Sequence, residues 1–277
     1  MAVSSADLVQ VALHLCNMDT LPADSSIQVP GEALTKVLFG IDIGTAELLL
    51  ARDLGCDGVI AHHPSGGTSA RRFPEVLTRQ IELLELHGVP TDVARATVQP
   101  LISRSMQSAH SANADHVPSV ARLLNMPLMN VHLPLDEFGR RLMIATIDAY
   151  VSALDRAPLV QDAVAALQTL PELQAADTMI MVPVGALDAP LGRLAVIHGA
   201  GTNGGSRVAQ ALFDHGIGTV LYIHCAGDEV MRLRETSATT GGNLIVSGHI
   251  ASDLLGINPY VAAIEALGVE VVRMSGL

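Results

Sequence analysis

GIDIGTAELLLARDLGCDGVIAHHP, residues 40–64, is the stretch whose reading decides the fold. Lys36 to Asp42 (KVLFGID) is a short apolar run of strand character that leads into it. Thr45 then caps the helix AELLLARDLG, which Gly55 closes. Asp57 to His62 (DGVIAH) is a second apolar strand, and it stops at His63-Pro64 because proline cannot donate to a ladder. Upstream, Ser4 or Ser5 caps a helix with Leu8, Val11, Ala12 and Leu15 on one face. Downstream, Pro74 opens a helix, PEVLTRQIELLELHG, that ends at Gly88. Residues 92–126 read as helical, broken by SAHSANADHVP, and 136–176 as an Ala-rich helical insert or cap. From 178 the alternation returns: TMIMVPV, RLAVIH, the helix SRVAQALFDHG, TVLYIH, the helix DEVMRLRE, NLIVSG, a further helix and VEVVRM. Strands alternating with helices at this spacing predict βαβ units and an α/β fold with a largely parallel sheet. No tandem repeat or low-complexity tract is visible, and a domain boundary is placed near residue 130.

Composition narrows the function classes. The chain has 277 residues, 49 % hydrophobic and 16 % charged, so it can bury a sizeable core built from Ala, Val, Leu, Ile and Met, since Trp is absent and aromatics make up 3 %. Sixteen basic against 28 acidic residues give a net charge of −12, which argues against a general nucleic-acid or anionic-membrane binder. No stretch approaches the ~18 apolar residues of a membrane span. The first Lys or Arg is Lys36, so a secretory signal is not expected. Three distant cysteines (Cys16, Cys56, Cys225) suit a reducing cytosol better than a disulfide framework, and a cytoplasmic protein is the expectation.

Eleven histidines are present, and their placement carries the chemistry. His62 and His63 end an apolar strand, where open α/β sheets bind ligands. At a strand end the chain can turn, so both imidazoles reach one cavity, or one ligates while the other supports; a chance doublet with one buried and one solvated ring is the bland alternative. Gly248-His249-Ile250-Ala251-Ser252-Asp253 follows the strand NLIVS and opens a helix. His249 and Asp253, four apart, share a helix face and can clamp one ion, although Asp253 also suits a helix start electrostatically. His110-Ser111-Ala112-Asn113-Ala114-Asp115 is polar punctuation between helices, for which capping by Asn113 or Asp115 is an equally direct reading. Mixed nitrogen and oxygen ligands without thiolates suit zinc, iron, manganese or nickel, and bridging carboxylates can hold two ions about 3.5–4 Å apart.

The combination GVIAHHP, then N-x-D at 113–115, then SGHIASD at 247–253, in this order along most of the chain, resembles the NIF-three-like (interacting-factor-three-like) family, some members of which are labelled GTP cyclohydrolase I type 2 homologues. The resemblance implies two linked α/β lobes with largely parallel or mixed sheets, here 1–130 with the HHP motif and 131–277 with the glycine loop and GHxxxD, and a site between them. It implies a centre of two divalent ions held by His62, His63, Asp115, His249 and Asp253. It also implies a toroidal homohexamer and metal-dependent hydrolysis of a nucleotide-like or other small molecule. The family pattern has Glu where this chain has Asp253, one methylene shorter, and bulky apolar residues after HHP where this chain has Ser65-Gly66-Gly67. A non-catalytic metal-binding scaffold is the alternative from another class.

Gly199-Ala200-Gly201-Thr202-Asn203-Gly204 fits G-x-G-x-x-G between a strand and a helix, the context of a dinucleotide-binding fingerprint. An oxidoreductase is therefore a third reading, though TVLYIH ends in His224 rather than in the acid expected there. His110 and His224 are the candidates for proton transfer. His198, which ends RLAVIH, is a further candidate for substrate contact, and Asp42 for orienting a ligand histidine.

Overall fold

A computed structural model of the chain describes residues 2–238 and 241–277. The strands are β1 (Ser26–Val29), β2 (Lys36–Gly40), β3 (Gly58–Ala61), β4 (Leu128–Asn130), β5 (Met181–Val184), β6 (Leu194–Ile197), β7 (Thr219–Tyr222), β8 (Asn243–Val246) and β9 (Glu270–Met274). The helices are α1 (Ser5–Cys16), α2 (Thr45–Asp53), α3 (Gly67–Val76), α4 (Arg79–Leu86), α5 (Thr91–Ser111), α6 (His116–Leu123), α7 (Leu133–Ser152), α8 (Val160–Leu167), α9 (Pro171–Gln174), α10 (Gly205–Asp214), α11 (Gly227–Ser237) and α12 (His249–Ala266). No described helix is long and apolar enough to cross a membrane.

The chain forms two compact units, each assembled from discontinuous pieces. The first comprises Met1–Val76, Ser103–Phe138 and Gly256–Leu277, and the second Leu77–Ile102 and Gly139–Leu255. A linear division into 1–130 and 131–277 therefore differs from the structure at three places. Residues 256–277 return to the first unit because β9 pairs in parallel with β2, Lys36 opposite Glu270 through Gly40 opposite Met274. Residues 77–102 belong to the second because Leu83, Leu84, Val89, Ala94 and Val98 pack into its core with Val208 and Leu212. Residues 131–138 remain with the first.

In the first unit the sheet order is β1-β4-β3-β2-β9, parallel except for β1 against β4. In the second it is β5-β8-β7-β6, parallel except for β5 against β8. The same four-strand order thus occurs twice, although the sequence shows no repeat. Strand length and order are set by burial and crossover handedness, which very different residues can satisfy. Leu38, Leu48, Ala51, Val59 and Leu128 form the core on one face of the first sheet. Val196, Leu221 and Ile245 of the second sheet pack with Ala163 and Leu167 of α8. The Ala-rich region 136–176 is thereby helical and covers that face.

Local signals explain most elements. Ser4 caps α1 and forms a capping box with Asp7. For α2 the cap is Gly44 rather than Thr45, because the Glu47 carboxylate three residues on reaches back to the Gly44 N–H at 2.8 Å. Pro74 does not open a helix: it lies inside α3, and the chain leaves helix before α4 starts at Arg79. The start of α3 is hidden in the sequence because two glycines at positive φ, Gly66 and Gly67, turn the chain into it without a capping side chain.

Candidate metal centre

Three histidines of the first unit stand at the carboxyl ends of adjacent parallel strands. His62 and His63 follow β3, and His132 follows its neighbour β4 by two residues. The backbone continues the ladder briefly past the strands, His62 N–H to Gly40 O and His63 N–H to Ile41 O, which fixes the doublet's direction. The ring centroids lie 5.1 Å apart for His62 and His63, 4.9 Å for His62 and His132, and 5.6 Å for His63 and His132. One ligand nitrogen from each can be chosen so that all three lie within 4.8 Å of one another.

The outer partners decide what those nitrogens can do. Nδ1 of His62 lies 3.0 Å from the Val131 carbonyl, which can only accept. Nδ1 of His63 lies 2.8 Å from Asp42, and Nδ1 of His132 lies 2.7 Å from the buried Asp24. Each acceptor therefore favours a proton on Nδ1, the arrangement in which a neutral imidazole would ligate an ion through Nε2. The Asp136 carboxylate, one turn into α7, closes the set: Oδ1 is 3.2 Å from His62 Nε2 and Oδ2 is 3.6 Å from His132 Nε2. Two imidazoles and a carboxylate brought together in a buried place need a positive charge among them, supplied by protons or by a bound cation. The donor chemistry of this set fits a divalent ion. Asp24 is held in turn: Ser25 Oγ donates to its carboxylate, and Asn130 donates to its carbonyl oxygen at 2.7 Å.

The second unit carries a related set. His249 and Asp253 share the first turn of α12, with Nε2 to Oδ2 at 3.4 Å and Asp253 almost fully buried. His224, two residues after β7, has its ring centroid 4.4 Å from that of His249 with the planes tilted by 48°, and the buried His198 follows β6 directly. His132-x-x-x-Asp136 and His249-x-x-x-Asp253 thus sit in near-equivalent places of the two repeated sheets, each opening a helix after the fourth strand.

The middle motif behaves differently. Asp115 is exposed, and both carboxylate oxygens are bound by Arg122 at 2.7 and 2.8 Å. Asn113 accepts the Asp115 N–H in a local turn, and Asp115 precedes α6 without a side-chain capping bond. His110 is exposed in the last turn of α5. Sequence reading passed over His132, Asp136 and Asp24. β4 is only three residues long, too short to register as a strand, but the His-x-x-x-Asp spacing shared with 249–253 is a signal that would have found two of them.

The start of the helix after the glycine loop is capped from within the protein. At the start of α10 the Gly205 N–H donates to Asn203 Oδ1 at 3.0 Å. The Ser206 N–H and hydroxyl both donate to the Glu229 carboxylate, at 2.7 and 2.5 Å. A pyrophosphate would have to displace an internal carboxylate from the position that the fingerprint reserves for it. Arg79 donates to the Gly199 carbonyl at 2.8 Å and Gln80 to the Thr202 carbonyl, so the loop is a tethered turn. Burial pushes the Cys225 thiol up to about 11, with Glu229 and Asp228 adding to the shift, which leaves it a poor nucleophile.

Two repeated α/β units with histidines and carboxylates gathered at strand ends define an α/β protein with groups that could hold a metal ion. No family model matches the chain, nor does any curated protein. Among solved structures, a NIF3 superfamily protein from Sphaerobacter thermophilus is 62 % identical over 100 % of both chains, with a TM-score of 0.97. The chain belongs to the NIF3 superfamily. Reduced HcgD from Methanocaldococcus jannaschii (12 % identity, 99 % of each chain, TM-score 0.55) and Staphylococcus aureus protein SA1388 (15 %, 99 % of this chain and 97 % of that one, 0.53) share the fold.

One prediction follows directly from the Asp24–His132 pair. Asp24→Asn offers its amide to Nδ1 and favours the opposite tautomer, so zinc affinity measured by competition with a chelating dye falls by about 10–100-fold while the fold persists. An unchanged affinity would show that His132 is not a ligand.

Proposed function

We propose that the chain is a divalent-metal protein whose ligands are His62, His63, His132 and Asp136 in the first unit and His249 with Asp253 in the second. The observation that carries this reading is the convergence of the three histidines, one ring nitrogen of each within 4.8 Å of the others, with each Nδ1 set against an oxygen acceptor. Asp115, implied by the family resemblance, is left out because Arg122 engages both of its oxygens. When bound, a divalent ion (zinc, iron, manganese or nickel) supplies Lewis acidity, polarising a carbonyl, amidine or phosphoryl oxygen and acidifying a water molecule. Hydrolysis of a nucleotide-like or other small molecule, as in a GTP cyclohydrolase I type 2 homologue, is the activity we assign to it. A cytoplasmic homohexamer and a stoichiometry of two ions per chain accompany this reading.

Elemental analysis of the purified protein tests it, followed by a metal-dependent screen against nucleotides and phosphoesters, with size measured by light scattering. Asp115→Ala is expected to leave metal per chain and turnover unchanged, whereas Asp253→Asn lowers the metal content. Loss of metal on Asp115→Ala would restore that residue to the ligand set. Stoichiometric metal with no turnover on any substrate would favour a metal-binding scaffold.

A further inference from the structure

Outside the histidine sets, the second unit carries an open groove of about 560 Å³, within the size range of small-molecule sites. Residues of α5 and α10 line it, together with Thr236 of α11, and none of them belongs to the ligands proposed above. Arg207, Ala211 and Asp214 are spaced four and three apart, so they share one face of α10, and all three line the groove. Arg207 stands in the first turn of that helix and Asp214 is its last residue, about 10 Å further along the axis at ~1.5 Å per residue. Both charges run against the helix dipole, which favours an anion at the amino end and a cation at the carboxyl end. Neither forms an ion pair with another described residue, and Asp214 Oδ1 accepts from Gln210 Nε2 at 2.8 Å, which orients the carboxylate. Asp92 of α5 adds a second carboxylate to the lining, and Val93, Ala96 and Ala211 make it apolar elsewhere.

We propose that this groove binds a short zwitterionic peptide about three residues long, with its carboxylate on Arg207 and its ammonium group on Asp214. An occupant of that polarity compensates both charges that the helix dipole disfavours. An extended chain covers about 3.3–3.6 Å per residue, so three residues match the spacing of the two groups. The guanidinium presents paired N–H donors that fit a carboxylate, and the Asp214 and Asp92 oxygens accept from an ammonium group. A single amino acid is too short to reach both ends, and a diamine leaves Arg207 uncompensated. Arg207 and Asp214 are exposed, so binding is weak and falls with salt. The metal reading plays no part in this inference.

The test titrates the full chain with trialanine by calorimetry at low salt, with a chelator present so that no metal contributes. The wild type is expected to bind trialanine, and its C-terminal amide and its N-acetyl form each about fivefold more weakly, the upper range for an exposed ion pair. Arg207→Gln is expected to bind the acid and the amide alike, and Asp214→Asn the free and the acetylated peptide alike. Both variants should keep the wild-type Tm, since neither side chain is packed in the interior. Absence of binding at millimolar trialanine, or equal binding of the acid and the amide by the wild type, would overturn the proposal. So would Arg207→Gln that still prefers the acid, because the carboxylate would then be read elsewhere. A straight-chain diamine bound more tightly than trialanine would overturn it in favour of a simple cation site.

Discussion

His62→Ala is expected to abolish stoichiometric metal binding, lowering affinity by more than about 100-fold, beyond the range for residues that only orient a ligand. His62 is wholly buried, its Nδ1 is committed to the Val131 carbonyl, and its Nε2 lies 3.2 Å from Asp136. Alanine removes the nitrogen at the centre of the set, which lies nearer the buried Asp136 carboxylate than His132 Nε2 does at 3.6 Å. Metal per chain, read by elemental analysis beside a thermal melt of the same sample, separates loss of the ligand from loss of the fold. The melt matters because the substitution also empties part of a packed interior. A variant that keeps wild-type metal content would remove His62 from the centre. A wild-type protein that stays metal-free after incubation with zinc, iron and manganese would make the doublet structural.

The largest stability effect is expected at Gly256, in the middle of α12. A Cβ there would overlap the Leu135 carbonyl oxygen and lie 2.6 Å from its carbon and 2.9 Å from its Cα. These are backbone atoms of α7, which cannot swing aside as a side chain does. Next to Gly256, Ile257 and Tyr260 are fully buried, and the Tyr260 hydroxyl donates to the Leu8 carbonyl, so α12 cannot retreat without breaking its own contacts. Gly256→Ala should cost about 3 kcal/mol or more, the upper range for overpacking, and lower Tm by roughly 6–12 °C. Leu135 precedes Asp136, so metal affinity should weaken in the same variant. Gly268→Ala is the control: φ is +90° there, nothing lies within 4 Å of the added carbon, and the cost is limited to about 1–2 kcal/mol of left-handed strain. Equal losses in urea melts of the two variants would refute the close-approach argument.

Much of the candidate site was legible where chemistry and local structure coincide. His62-His63-Pro64 announces itself because a proline ends an apolar strand beside two imidazoles, and His249 and Asp253 because one helix turn separates them. His132, Asp136 and Asp24 were illegible because their significance depends on β4 lying beside β3, and on Asp24, 108 positions from His132, folding back to meet it. Asp115 read as a ligand on motif alone. Its commitment to Arg122, seven positions away, is a choice between two local partners that spacing does not reveal.

The same division holds for the glycine loop. Its context matched a phosphate cradle, since glycines between strand and helix are required by any tight turn there. What separates the two outcomes is the carboxylate of Glu229, brought to Ser206 from 23 residues on by the packing of α10 against α11. The amino-acid order by itself determined the α/β alternation, the Ser4 cap of α1 and the strand-end histidines, because these depend on neighbours within a few residues. Which histidine carries its proton on which nitrogen, which carboxylate faces them, and to which unit residues 256–277 belong were decided only by the tertiary structure. Each of these depends on a hydrogen-bond partner or a strand pairing far along the chain, and none has a period or a spacing.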